Sequence, residues 1–446
     1  MKMTSEEKAH LYARSSFFVF AQEWNKSDDR KKVVEAIVKD QKFDPLNYDL
    51  PKLDPDVFKK GSKSKRQALR KTWRQQALEI NAIWIRKMIT TKYAFQERMT
   101  LFWTGHFACR TIDNPYFTLD LNNKLRKHAL GNFRDLLVEV AKSPAMINYL
   151  HLKQNKKGKP NEDFARELCE LFTLGRDVDY TEKDVMEIAR AFTGWTYNFN
   201  GEHVVNPRQH DDGEKTIFGK TGRYTGEDVL DMILENPHTA DFIAKKVYLE
   251  FVQQELNDQH VRELSNVLFQ SNYSIKTMMT YLFEADWFYE AKAKRLKSPI
   301  ELLVGLGRMF ELEFQDAKSL FRIQKVLGQV LFDPPNVAGW PGGRSWIDAS
   351  RLAFRLRLGA LITNKGVVEV ELTPELDEML SQKTKKQKAL QLFEEVDWEK
   401  FFRKQKTLTA PEMVLQTIES DQHHLSEELK ADNIIQLLST PDFQLI

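Results

Sequence analysis

From Lys65 to Phe107 the chain runs without a proline and with a single glycine, Gly105, while Leu69, Trp73, Leu78, Ile83, Trp84, Met88 and Phe95 recur at helical spacing. The pattern predicts two long helices meeting near Thr90-Thr91. The rest of the chain is punctuated as sparingly: 19 glycines and 15 prolines serve 446 residues. Turn-rich all-β folds need such residues at every corner, so their scarcity predicts a mainly α protein. Local signals agree. Ser5 ahead of Glu6-Glu7 can open a first helix toward Phe20, Thr181 with Asp184 and Thr225 with Asp228 have capping-box spacing, and Asn236-Pro237 and Ser298-Pro299 set proline just after a cap residue. A further helix is expected from Ser345, and short ones in the tail from Leu372 to Ile446.

One segment departs from this pattern. Trp195 to Phe199 alternates, Asn200-Gly201 follows, and His203 to Val205 resumes an extended run, which predicts a β-hairpin. Thr216 to Phe218 offers a third short strand. The expected architecture is a large multi-helix single domain over residues 1–363, with a small β-hairpin insertion near 195–220. Residues 364–446 are expected as a C-terminal helical segment packed on it, beginning with a linker at 364–390.

Lys and Arg number 66 against 64 Asp and Glu, a net charge of +2 that excludes a bulk polycation or polyanion. Two cysteines, Cys109 and Cys169, cannot form a disulfide framework and are expected as buried, reduced thiols. The N-terminus carries Glu6 and Glu7 ahead of its only early apolar run, so no secretory signal is visible. No stretch reaches the ~20 apolar residues of a membrane span. A soluble, cytoplasmic protein is expected, with export only in the company of a partner.

Five segments hold residue types that do chemistry. Phe95, Met99, Phe102, His106 and Cys109 line one helix face, so His106 is either a satisfied core imidazole or a base or ligand facing a cleft, with Gly105 admitting another backbone nearby. After a cap at Asn161, Glu162, Arg166 and Glu170 repeat at helical spacing and Glu167 adds another carboxylate. They form either a solvated ion-pair face or a network orienting a catalytic acid, and the helix should end at Gly175. His210-Asp211-Asp212 sits in a loop, and His238 opens a helix after Pro237. The fifth, Phe332 to Gly343, packs three prolines and three glycines into ten residues, a rigid loop presenting Asp333, Asn336 and Trp340.

Two signals are weaker. Gly219-Lys220-Thr221 resembles the end of a phosphate loop, but Glu214 stands where glycine is required. Lys59 to Arg74 holds eight Lys or Arg in sixteen residues, with Trp73 the lone aromatic among them, and reads as a solvated face.

Several of these segments resemble those of a bacterial family catalogued as domain of unknown function 1800. They are Leu101-Phe-Trp-Thr-Gly-His106-Phe, Asn161 to Gly175, Ala189-Arg-Ala-Phe-Thr-Gly194-Trp195 and Lys215-Thr216 to Gly219. Further along come Pro237-His-Thr-Ala to Lys245, Lys297-Ser-Pro299, Leu331 to Gly343, and Leu438-Ser-Thr-Pro-Asp-Phe443. The resemblance implies a mostly helical fold over the whole chain and no established reaction. Many members resemble exported proteins, often encoded beside sulfatase-like or phosphatase-like proteins. Thr104-Gly105 stands where relatives often carry further polar residues, including a histidine, so no His-His metal pair is expected here.

The leading expectation is an enzyme, hydrolytic or metal-assisted, built on a His/carboxylate cleft. His106, Glu162, Arg166, Glu167, His210 and Asp211 are the catalytic candidates; His238, Asp333, Asn336 and Trp340 are the substrate-binding ones. The cofactor is unspecified, with a divalent metal the candidate. The alternative is a non-catalytic binding or maturation partner of a sulfatase-like protein. Nucleic-acid binding through residues 59–74 is the remaining reading and is not expected.

Overall fold

The computed structural model describes residues 1–24, 26–39, 43–52, 62–176, 178, 180–291, 295–314, 316–363, 367–369, 389–391, 395–404 and 430–446. The chain is mainly α. Its helices are α1 (Ser5–Ser15), α2 (Arg30–Val38), α3 (Lys63–Thr90), α4 (Ala94–His106), α5 (Pro115–His128), α6 (Phe133–Ala141), α7 (Pro144–Tyr149) and α8 (Asp163–Glu167). After α9 (Glu182–Ala191) come α10 (Gly226–Glu235), α11 (Pro237–Phe251), α12 (Asp258–Gln270) and α13 (Ile275–Glu284). The later ones are α14 (Pro299–Phe310), α15 (Ala317–Leu327), α16 (Ala349–Thr363) and α17 (Ala431–Leu438). Shorter helices lie at Ala21–Trp24, Asp286–Glu290 and Trp398–Lys404.

Local chemistry accounts for most boundaries. Thr181 and Asp184 form a reciprocal capping box at α9, as do Thr225 and Asp228 at α10 and Ser298 and Glu301 at α14. Pro237 and Pro299 occupy first turns, where a missing N–H costs no helical bond. The first helix is capped by Thr4, not Ser5, because Thr4 and Glu7 close a capping box, and it stops at Ser15. The helix expected from Ser345 starts at Ala349, because Gly343–Trp346 forms a 3₁₀ turn.

The hairpin at Asn200-Gly201 is present. Strands β1 (Trp195–Tyr197) and β2 (His203–Val205) pair antiparallel, with Trp195 opposite Val205. The third strand does not join them. Instead β3 (Lys215–Ile217) pairs with β4 (Lys220–Gly222) in a second hairpin, turning at Phe218-Gly219. Both turn residues have positive φ, the geometry whose twist suits tight hairpins. The phosphate-loop lookalike is therefore a hairpin turn. Most of the linker expected at 364–390 lies outside the described residues; Val367–Glu369 and Ala389–Gln391 pair antiparallel there.

Buried apolar residues form two clusters. One is drawn from α2 and α4–α13 and includes Phe95, Trp103, Phe107, Phe172 and Phe251. The other joins Phe17 and Phe18 to α3, α14, α15, α16 and α17 through Trp84, Leu303, Leu320, Ile362 and Leu438. Helix α4 serves both: Trp103 enters the first cluster and Leu101 the second. The C-terminal end of α4, bearing His106, therefore lies at the seam between them. Among the described residues no helix is long and apolar enough to cross a membrane.

Candidate functional site

A cleft of about 590 Å³ opens at this seam, within the range of small-ligand sites. One wall is the end of α4 with Phe102, Gly105 and His106; a second is the last turns of α11 with Lys246, Leu249 and Glu250. Arg295 and Ser298 form part of the lining, and the loop from Ala338 to Trp346 closes the remaining side.

The loop is seated by polar and backbone contacts that a core of apolar residues alone would not specify. Asn81 of α3 and Gln324 of α15 exchange amide hydrogen bonds, and both also bind the backbone of Leu331. Phe332, at φ 68°, stacks on Trp84 and accepts the N–H groups of Thr111 and Ile112. Asn336 accepts from the backbone of Ala338 and Gly339 and so closes the turn. Gly339 then lies directly on the backbone of Gly105.

His106 is buried among Phe102, Trp103, Phe107 and Phe133. Its Nε2 lies 3.0 Å from the carbonyl of Phe172. A carbonyl only accepts, so Nε2 carries the proton and Nδ1 holds a lone pair, which has no partner. Burial first, and the Lys246 charge second, hold the imidazole pKa well below 6.5. It is a neutral acceptor at physiological pH. Lys246 donates to the carbonyl of Leu171 at 3.1 Å and stands 4.7 Å over the Phe242 ring. Burial pushes its amine down to about 8.

Leu171 and Phe172 belong to a π-helical continuation of α8, Leu168–Thr173. Carbonyls at a helix C-terminus lack intrahelical partners and carry the negative end of the dipole. Here two consecutive ones anchor an imidazole N–H and an ammonium. The Asn161–Gly175 segment thus reaches the cleft through its backbone, not its carboxylates.

Beneath the cleft runs a buried ionic network. Arg295 grips Glu301 with both terminal nitrogens, and Arg98 binds Glu301 at 2.8 Å and Glu250 at 3.2 Å. The two arginines, first Arg295 and then Arg98, outweigh the penalty of burial and hold the Glu301 carboxyl far below its usual range. Lys297 and Arg355 lie in the same field. Four arginines, Arg14 among them, therefore face two carboxylates while burial pushes the Lys297 amine down to about 7, and Arg295 Nε, Arg98 Nη1 and Arg355 Nη1 are buried without a hydrogen-bond partner. Glu250 is the only acid among the lining residues, alongside Lys246, Arg295 and Arg344.

Of the ten residues singled out by sequence, this cleft gathers His106 and Trp340. The others lie elsewhere. Arg166 is half-exposed and pairs with Glu162 at 2.9 Å and Glu182 at 2.7 Å, with Glu170 at 3.7 Å. Glu167 is half-buried, its carboxyl pushed up by burial and by Glu170. His210 Nδ1 meets the carbonyl of Thr193, and Asp211 accepts from Arg190 at 2.9 Å and from Gly213 N–H, contacts that fasten their loop to the end of α9. The His238 side chain is exposed, Asn336 serves its turn, and Asp333 is held by Arg110 at 2.7 Å. Cys109 and Cys169 are buried free thiols whose pKa burial pushes upward, so neither is an activated nucleophile.

Lys246, Glu250, Arg295 and Arg344 carry no motif that spacing could reveal. Lys246 and Arg295 border two of the family-like segments, and that proximity was the available signal. Among the described residues no group of three or more His, Cys, Asp or Glu side chains could hold a metal ion, and the cleft itself offers one imidazole and one carboxylate.

No curated protein and no solved structure matches the chain. A family model described as protein of unknown function (DUF1800) matches residues 10–445, nearly end to end, and the chain belongs to that family.

Proposed function

We propose that the chain is a hydrolytic enzyme acting on a small anionic substrate in the cleft between α4, α11 and the 338–346 loop. One observation carries this reading: Arg295, buried and lining the cleft, keeps an unpartnered Nε in a network with more cations than carboxylates. A monoester of phosphate or sulfate supplies the missing negative charge. In this reading Arg295 and Lys246 hold the anion, and Trp340 and Phe102 cover its apolar part. His106, fixed as the Nε2–H tautomer by Phe172 with its unpartnered Nδ1 buried beside the cleft, is the residue assigned to take the proton of the attacking water. Glu250 keeps the Arg98 guanidinium in register behind Arg295.

The test pairs sulfate titration, read as a rise in melting temperature, with assays on p-nitrophenyl phosphate and sulfate, and on the uncharged p-nitrophenyl acetate as a control. Turnover of one ester is expected, falling about 10²–10⁴-fold in His106→Gln, the usual range for loss of a general base. Sulfate protection should weaken in Lys246→Met. Neither protection nor turnover would sink the proposal; protection without turnover would assign the cleft to binding alone, the non-catalytic alternative.

A further inference from the structure

A second groove, separate from the cleft, runs between α3 and the α5–α7–β1 side of the molecule. Its volume is about 1580 Å³, above the ~300–1,000 Å³ typical of small-ligand sites, so it has room for more than a small ligand. No side chain of α3 before Ala77 is buried, so the first half of this helix is a strut standing clear of the core. Arg70, Lys71 and Arg74 line the groove from that strut, and Arg66, Lys65 and Lys63 continue the positive charge toward its end. No ion pair forms between Arg70 or Lys71 and any acid among the described residues, and both are exposed.

The opposite wall is aromatic. Tyr149 and Phe117 lie along it, Tyr197 has Lys153 Nζ 3.4 Å from its ring centroid, and Phe199 is 44% exposed. The single acid in the lining, Asp113, is paired with Arg110. Trp73 was the lone aromatic of the basic run in sequence; folding brings four more rings across from it. Cations along one wall and flat rings along the other are the two elements that hold unpaired nucleic-acid strands, through phosphates and base stacking respectively.

We propose that this groove binds single-stranded nucleic acid independently of base sequence. Fluorescein-labelled dT12 is titrated with the full chain at several salt concentrations, with unlabelled heparin as a ring-poor polyanion for comparison. Binding should be strongly salt-dependent. The double variant Arg70→Glu, Lys71→Glu should lower affinity at least tenfold and reduce the slope of log K against log salt by about 1.4. Phe199→Ser should lower affinity about tenfold and leave that slope unchanged, the mark of lost stacking. All three positions are exposed, and circular dichroism checks that the variants stay folded. Absence of dT12 binding at 50 mM salt overturns the proposal. So does heparin binding as tightly with Phe199→Ser without effect, which would make this a site for sulfated polysaccharide.

Discussion

A β-carbon placed on Gly339 would lie 2.5 Å from the carbonyl oxygen of Gly105. The loop that closes the cleft therefore rests on α4 backbone to backbone, one residue from His106. Gly339 also has φ +83°, a region in which a side chain costs about 1–2 kcal/mol before any clash. Gly339→Ala should lift the loop, lower the melting temperature and expose Trp340. Gly105→Ala is the control: a β-carbon there meets nothing within 4 Å, and alanine favours helix by up to ~1 kcal/mol. Tryptophan fluorescence and thermal melts of the two variants check the contrast; equal damage from both would refute the contact's asymmetry.

His106 has a consequence for acid stability. Its folded pKa lies well below 6.5, so the unfolded chain takes up a proton that the folded chain refuses. Stability from this group is intact above pH 6.5 and falls as pH drops below it. His106→Phe keeps an aromatic shape, loses the bond to Phe172, and should flatten the decline in urea midpoint between pH 6.5 and 5 while lowering the midpoint at pH 7.5. An unchanged acid slope would count against a neutral, buried imidazole.

The pattern of what sequence disclosed follows from how local each cause is. Thr181 with Asp184 and Asn200 with Gly201 act within a few residues, so their caps and turn were legible. The partner of β3 was not, because Thr216 to Phe218 extends equally well toward either neighbour and only the Phe218-Gly219 turn decides. The site shows the same division. Gly105 beside His106 hinted at close backbone approach, and Gly339 supplies it. The α8 segment was read through its charges, yet it contributes the carbonyls of Leu171 and Phe172, which have no residue signature. Arg295 meets Glu301 only six residues on, but the Arg98 and Glu250 that complete the network stand nearly 200 and 45 residues before it, and no spacing rule reaches that far.

Glu301 joins Arg98 and Arg295 with all three side chains buried. Removing one partner from such a network leaves uncompensated charge and typically costs about 3–5 kcal/mol. Glu301→Gln should destabilise on that scale by urea titration. Because the folded carboxyl is depressed, its stabilisation is fully present above pH 4.5 and lost as pH falls through the folded value. The difference between wild type and Glu301→Gln should therefore narrow in strong acid.

The Arg166 cluster is expected to be silent. Its members are half or fully exposed, and water screens ion pairs of this kind. Glu162→Ala and Arg166→Ala should leave sulfate protection and any cleft activity near wild type. A large loss of activity with intact folding would restore the catalytic role that spacing first suggested for this helix.

Lys246 supplies the sharpest pH test of the cleft. With its amine at about 8, it is cationic in neutral buffer and loses that charge as pH rises into the alkaline range. The other groups lining the cleft with it are His106, already neutral, Glu250, and the arginines Arg295 and Arg344. Sulfate keeps its charge across this interval, so any change in its affinity reports the protein. Binding followed by calorimetry should weaken as pH rises from 7 to 9. Lys246→Arg keeps the charge and should remove that dependence, whereas Lys246→Met should bind weakly at every pH. Folding carries the opposite sign: the unfolded amine holds its proton up to about 10.5, so between 8 and 10.5 this residue makes the fold more stable as pH rises. Anion affinity that stays flat from pH 7 to 9 in the wild type would remove Lys246 from the binding set.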